Sequence, residues 1–153
     1  MLNRNNNDAI KTLVLFTVGY YIYSIIEIVF RGYTYSLMGI CAGLSILLLD
    51  KINDNISWDV DILLQGAIGS IIITSMELIV GNLMYACPWI PIMWDYHNQW
   101  MNYNGIVCPL FSFLWLLLSI VAILVADAIN YIVLKDNDTP YYVILGKIII
   151  PYK

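Results

Sequence analysis

The residues able to do chemistry in this chain are few, and most of them interrupt apolar runs. Glu77 stands inside residues 62–86, where Gln65 and Asn82 are the other clear polar breaks. It lies about nine residues, or roughly 13 Å, from the far end of that run. A carboxylate at such depth in a bilayer is costly unless it is paired, hydrated or protonated. It therefore marks a site for a cation or a proton, or it holds helix register against Tyr or Ser of a neighbour. Glu27 has Arg31 four positions on, the favourable spacing for an ion pair on a helix. A local salt bridge and a functional role both remain open there. Asp127 sits near the end of its run and is expected to reach water by itself. Asp95, Tyr96 and His97 are consecutive, in a segment rich in Trp, Pro and Asn.

Several chemistries find no support. His97 is the single His, so no His-based metal cluster is expected. A Ser/His/Asp hydrolase would need His97 with Asp95 and a Ser such as Ser112, and nothing marks a nucleophile elbow. Gly146-Lys147 lacks the upstream glycine of a phosphate-binding loop. The three Cys make no metal site, and Cys87 and Cys108 would pair only in an oxidising compartment, so free thiols are expected. A net charge of −4, scattered and without a basic patch, gives no reason to expect nucleic acid. No cofactor is expected.

The elements that must position these residues follow from composition. Of 153 residues, 61% are hydrophobic and 12% charged, and mean hydropathy is +0.76. Soluble domains are nearer 45–50% apolar, and one soluble core of this size has no room for the excess. A bilayer removes the difficulty. Apolar runs over 12–30, 35–49, 62–86 and 107–134 read as four membrane helices in one domain, all-α, packed as a four-helix bundle. The second run has only 15 residues, about 22 Å, so it must extend into its flanks or sit in thinned bilayer. The first run is long for a signal peptide and is followed by no small-residue cleavage site. Residues 1–11 read as a polar Asn-rich tail, and 135–153 as a tail with a short apolar patch.

With four spans, Arg4, Lys11, Lys51, Lys135, Lys147 and Lys153 fall on one side and Arg31 alone on the other. That bias places both termini in the cytoplasm of a cell-membrane protein. Trp89, Trp94 and Trp100 then anchor the outer segment 87–106 in the interface.

Each run carries a stripe of small or polar residues at helical spacing. These are Tyr20, Tyr23, Ser24, Glu27 and Arg31; then Ser36, Gly39, Gly43 and Asp50; then Gly66, Ser70, Thr74, Glu77 and Gly81; then Ser112, Trp115, Ser119, Ala122, Ala126 and Asn130. The third stripe fits within about 80° of arc. Such stripes are where helices approach closely. Gly39 and Gly43 make a G-x-x-x-G, which serves either dimerisation or internal packing.

Trp94-Asp95-Tyr96-His97, then Asn102 to Pro109, then Phe111-Ser112 and Trp115 form the most distinctive stretch. Here the chain resembles the CmpB-type family of small multi-pass membrane proteins, named as ABC-transporter permeases. The family pattern runs Trp-Asp-Tyr-Ser, then Asn and Gly, then Phe-Ser and Trp, with a Glu about 18 residues before the first Trp. This chain keeps Trp94, Asp95, Tyr96, Asn104, Gly105, Cys108, Ser112 and Trp115, has Glu77 at the acidic position, and carries His97 in place of Ser. The resemblance covers about 12–134. It implies a four-helix membrane protein. Without a phosphate-binding loop in the chain, any ATP-driven role needs a separate ATPase subunit. Four short helices rarely enclose a transport path alone, so a transport role implies a homo-oligomer or a partner, with membrane lipids around it.

The residues and the resemblance together lead to an expected transport or binding component. Its outward-facing pocket would be lined by Glu27, Glu77, Asp95, Tyr96 and His97, for a cation, a proton or a polar lipid headgroup. An interfacial lipid-modifying enzyme with Glu77 or Asp95 as general acid/base, and a structural or regulatory subunit, stay open as alternatives.

Overall fold

A computed structural model describes residues 4–135 and 139–150, with backbone alone for 4–7, 53 and 54. Four helices form in chain order: α1 (Arg4–Arg31), α2 (Ser36–Asn55), α3 (Ile62–Ala86) and α4 (Pro109–Ala128). A π-helical turn, Ile129–Val133, continues α4, and Leu134 N–H donates to Ile129 O at 3.0 Å. Strands β1 (Tyr142–Ile144) and β2 (Lys147–Ile149) close the described chain as an antiparallel hairpin, with Val143 opposite Ile148. The chain is mostly helical as expected, but the all-α expectation is corrected by this hairpin, which occupies the apolar patch of the C-terminal segment. The N-terminal tail is corrected too, since helix begins at Arg4.

Among the described residues, three stretches are long and apolar enough to cross a membrane: Asp8–Arg31, Ile62–Ala86 and Pro109–Val133. The protein is a membrane protein. Helix α2 is 20 residues long because the short apolar run continues into its polar flank, through Asp50 and Lys51 to Asn55. Of the six Lys and Arg placed on the inner side, Lys153 lies outside the described residues, as does the Arg4 side chain.

The chain divides into two compact units, Met1–Ile62 with Val121–Lys153, and Leu63–Ile120. In the first, α1 ends where Gly32 takes φ 84° and its N–H returns to Ile28 O at 2.8 Å, a left-handed cap that glycine allows without strain. The chain then reverses into α2, and the two helices pack antiparallel. A Cβ on Gly39 would strike the Tyr20 ring, and one on Gly43 would strike the Phe16 ring and its carbonyl. The G-x-x-x-G therefore packs against α1 of its own chain. Leu15, Ile46 and Ala126 form the buried core.

The first unit also buries charge. Lys11 Nζ lies 3.1 Å from Asp50 Oδ2, and Asn130 Nδ2 donates to Asp50 Oδ1 at 2.7 Å. Asp127 does not look to water: it is buried, and the Tyr142 hydroxyl of β1 donates to its Oδ2 at 3.0 Å. The hairpin supplies the cover that Asp127 lacks in a bare helical reading.

Candidate functional site

Within the second unit the stripe on α3 finds the partners its small residues require. A Cβ on Gly66 would meet Ile120 and the Leu116 carbonyl of α4. One turn on, Ser70 Oγ donates to the Ser112 carbonyl at 2.5 Å, and Thr74 Oγ1 to Ser112 Oγ at 3.2 Å. At the far end, a Cβ on Gly81 would collide with Ile106 of the loop between α3 and α4. Small side chains let α4 come close, and hydroxyls then reach acceptors across the gap. Glu77 stands between Thr74 and Gly81 on this face, 7% exposed.

The 87–108 loop is built to cover that carboxylate. Trp94 is 8% exposed, and its indole N–H donates to the Ile106 carbonyl at 2.8 Å, tying the two limbs together. The Tyr96 amide donates to the Gly105 carbonyl at 2.8 Å. Asn102 closes the tip: its Oδ1 accepts from Gly105 N–H at 2.9 Å, and its amide donates to the carbonyls of His97 and Gln99 at 3.0 and 2.9 Å. Asn104 and Gly105 both take positive φ, 52° and 66°. Any Cβ at Gly105 would run into the His97 ring. Asn tolerates that backbone region, and Gly alone fits beneath the imidazole.

So held, Tyr96 points inward. Its ring stacks on Phe111 of α4, centroids 4.3 Å apart and planes 14° from parallel. Its hydroxyl donates to Glu77 Oε1 at 3.0 Å. The Trp115 side chain also lies beside this carboxyl. The second oxygen, Oε2, makes no hydrogen bond of good geometry. The result is a buried carboxyl with one oxygen fixed by a phenol and the other poorly satisfied.

Asp95 and His97 flank Tyr96 but face outward, their side chains 59% exposed. Asp95 Oδ1 accepts the His97 amide at 2.8 Å and lies 2.5 Å from His97 Nδ1. The His97 amide, with help from its ring, holds the Asp95 carboxyl below its ordinary value. The structure thus joins Glu77 with Tyr96 and makes a separate surface pair of Asp95 and His97.

Glu27 belongs to the first unit and is closed by its own neighbours. Arg31 Nη2 lies 2.8 Å from Oε1, Thr34 donates to Oε2, and Tyr23 approaches Oε1 at 3.5 Å. Arg31 also lies 4.7 Å from the Tyr33 ring centroid. This is the i,i+4 ion pair that the spacing allows, with a hydroxyl added. Thr34 carried no sequence signal. All three cysteines are free thiols.

Residues 25–152 match the family described as "Putative ABC-transporter type IV", the CmpB family. The chain belongs to this CmpB family. The match starts later than the resemblance read from sequence and runs further, through the C-terminal hairpin. No curated protein and no solved structure matches the chain. The residues that carried the CmpB resemblance have structural roles around one point. Trp94 and Gly105 shape the loop, Ser112 receives α3, and Tyr96 and Trp115 address the Glu77 carboxyl.

Proposed function

We propose that this CmpB-family protein is the membrane subunit of a transport system. It would bind a cation or the cationic part of a polar lipid headgroup at the Glu77 carboxyl. The observation that carries this reading is the half-satisfied carboxyl itself. Oε1 is fixed by Tyr96 while Oε2 has no well-formed hydrogen bond, inside a helix apolar enough to span a membrane. A carboxylate that only fixed register would gain most from satisfying both oxygens. Four spans in one membrane domain with both termini cytoplasmic accord with the Lys and Arg distribution. The family description supports energy coupling by a separate ATPase subunit.

Carbodiimide labelling tests the site. The purified chain in phosphatidylcholine vesicles is treated with dicyclohexylcarbodiimide, an apolar reagent for buried carboxyls, and adducts are located by mass spectrometry. Glu77 is expected to label. Prior addition of Na⁺, K⁺, Mg²⁺ or ethanolamine, each alone, should slow labelling for the species that binds, and ethanolamine separates a headgroup from a metal ion. Labelling at Glu77 unchanged by every addition contradicts the proposal.

A further inference from the structure

The C-terminal hairpin exposes apolar side chains that water does not favour. Leu145 at its tip is 78% exposed and Ile148 64%, and Ile144, Ile149 and Ile150 are exposed beside them. A two-stranded hairpin is marginal on its own, so something must hold it and something must cover it.

What holds it is clear. Leu145 N–H donates to Asp61 Oδ2 at 2.6 Å, and Val143 bridges Asp61 through the backbone. The Tyr141 hydroxyl donates to Asp59 Oδ1 at 2.9 Å, and the Trp58 ring lies 5.9 Å from the Tyr141 ring. Asp61 immediately precedes α3, and Tyr142 bonds Asp127 near the end of the Pro109–Val133 stretch. The hairpin is therefore tied to the ends of two helices long enough to span, which is where a bilayer surface lies. Trp58, Tyr141 and Tyr142 are amphipathic rings of the kind that settle at headgroup depth. Lys147 is exposed on β2, placed for lipid phosphates.

The turn adds a separate argument. Leu145 and Gly146 both take positive φ, 49° and 77°. A hairpin turn of that kind prefers Asn or Asp before Gly. A branched apolar side chain there is strained, and in water it would gain nothing in return.

We propose that the hairpin is an interfacial anchor whose occupant is the lipid leaflet itself. Leu145 and Ile148 lie at the acyl boundary, Lys147 lies at the phosphates, and the 57–61 segment is pinned to the membrane surface. This inference rests on the proposed spans, so its test carries a control for them. Benzoylphenylalanine is introduced in the full chain at position 145, at 148 and, as control, at Ile71, an exposed position within α3. Each variant is irradiated both in phosphatidylcholine–phosphatidylglycerol vesicles and in native membranes, and adducts are identified by mass spectrometry. All three positions are expected to give mainly lipid adducts in both settings. Lipid adducts at 71 with none at 145 and 148 overturn the anchor while sparing the spans. Adducts of 145 and 148 with another polypeptide in native membranes overturn it in favour of a protein docking surface. Absence of lipid adducts at 71 removes the span reading and the anchor with it.

Discussion

The Tyr96 hydroxyl donates to Glu77 Oε1 across 3.0 Å, joining residues 19 positions apart, one on a loop and one inside a helix. Neither residue is placed by its own element alone. Tyr96 depends on Trp94, Asn102 and Gly105 to turn the loop inward, and on Phe111 for a stacking surface. Replacing Tyr96 by Phe keeps the stack and removes the donor. The expected loss is about 1–3 kcal/mol, because a buried acceptor is left unsatisfied. Thermal unfolding in detergent measures it, and a Tyr96→Phe variant as stable as the parent would show that the bond is dispensable.

Gly43→Ala should destabilise the protein by about 1–3 kcal/mol, the usual cost of overpacking. The added methyl meets the Phe16 carbonyl as well as its ring, and a backbone atom cannot rotate away. The self-association of the chain should not change, since this face packs within the chain. A variant that folds normally but loses a dimer would reverse the assignment.

Lys11→Met leaves Asp50 buried beside Asn130 without its cation. Removing one partner of a buried pair costs about 3–5 kcal/mol. The value here belongs at the low end, because the Lys11 side chain is itself 26% exposed. The double variant Lys11→Met, Asp50→Asn should recover part of the loss. If the double variant is no more stable than Lys11→Met, the two groups are not coupled.

Much of this was legible in the sequence, and the failures have physical causes. The α3 stripe was readable because Gly66, Ser70, Thr74, Glu77 and Gly81 recur at helical spacing, and a face is a local property. Tyr96 stands among the expected pocket residues, but nothing in the sequence singles it out as the donor, because it lies 19 positions from Glu77 on a different element. That Asp95 and His97 form a surface pair was not legible: neighbours in a loop point different ways, and the Asn102 and Gly105 bonds decide which. Trp89, Trp94 and Trp100 look alike in sequence, yet only Trp94 among them is buried, because its N–H meets Ile106 O. The hairpin was missed because Leu145-Gly146 is a poor turn signal. Tyr142-Val143-Ile144 before a glycine was the available clue, since β-branched and aromatic runs bounded by glycine favour strands. Asp127 was misjudged for the same reason, its partner lying on that hairpin.

Asp95 gives a prediction in pH. The His97 amide holds its carboxyl below the ordinary 3.8. A carboxyl with a depressed folded value contributes its stabilisation in full above the unfolded value, and loses it as pH falls through the folded one. The group is exposed, so the effect is read locally and not as global stability. The His97 amide proton, followed by NMR in detergent, should shift with a midpoint below 3.8, and the shift should vanish in Asp95→Asn. A midpoint at or above 3.8 would mean the bond does not favour the carboxylate.

The most direct test of the Glu77 site is thermal unfolding of three proteins, parent, Glu77→Gln and Glu77→Leu, with and without added Na⁺, K⁺, Mg²⁺ or ethanolamine. A ligand that binds only the folded protein raises stability by about 2.7 kcal/mol at one hundred times its dissociation constant. The parent should gain with at least one of the four. Glu77→Gln, which keeps the shape and a hydrogen-bonding group for Tyr96, should unfold near the parent's unliganded temperature and gain nothing. Glu77→Leu should be less stable by about 1–3 kcal/mol, because the Tyr96 hydroxyl loses its acceptor. If Glu77→Gln gains as much as the parent, or Glu77→Leu matches the parent throughout, Glu77 is not the binding group and the account fails.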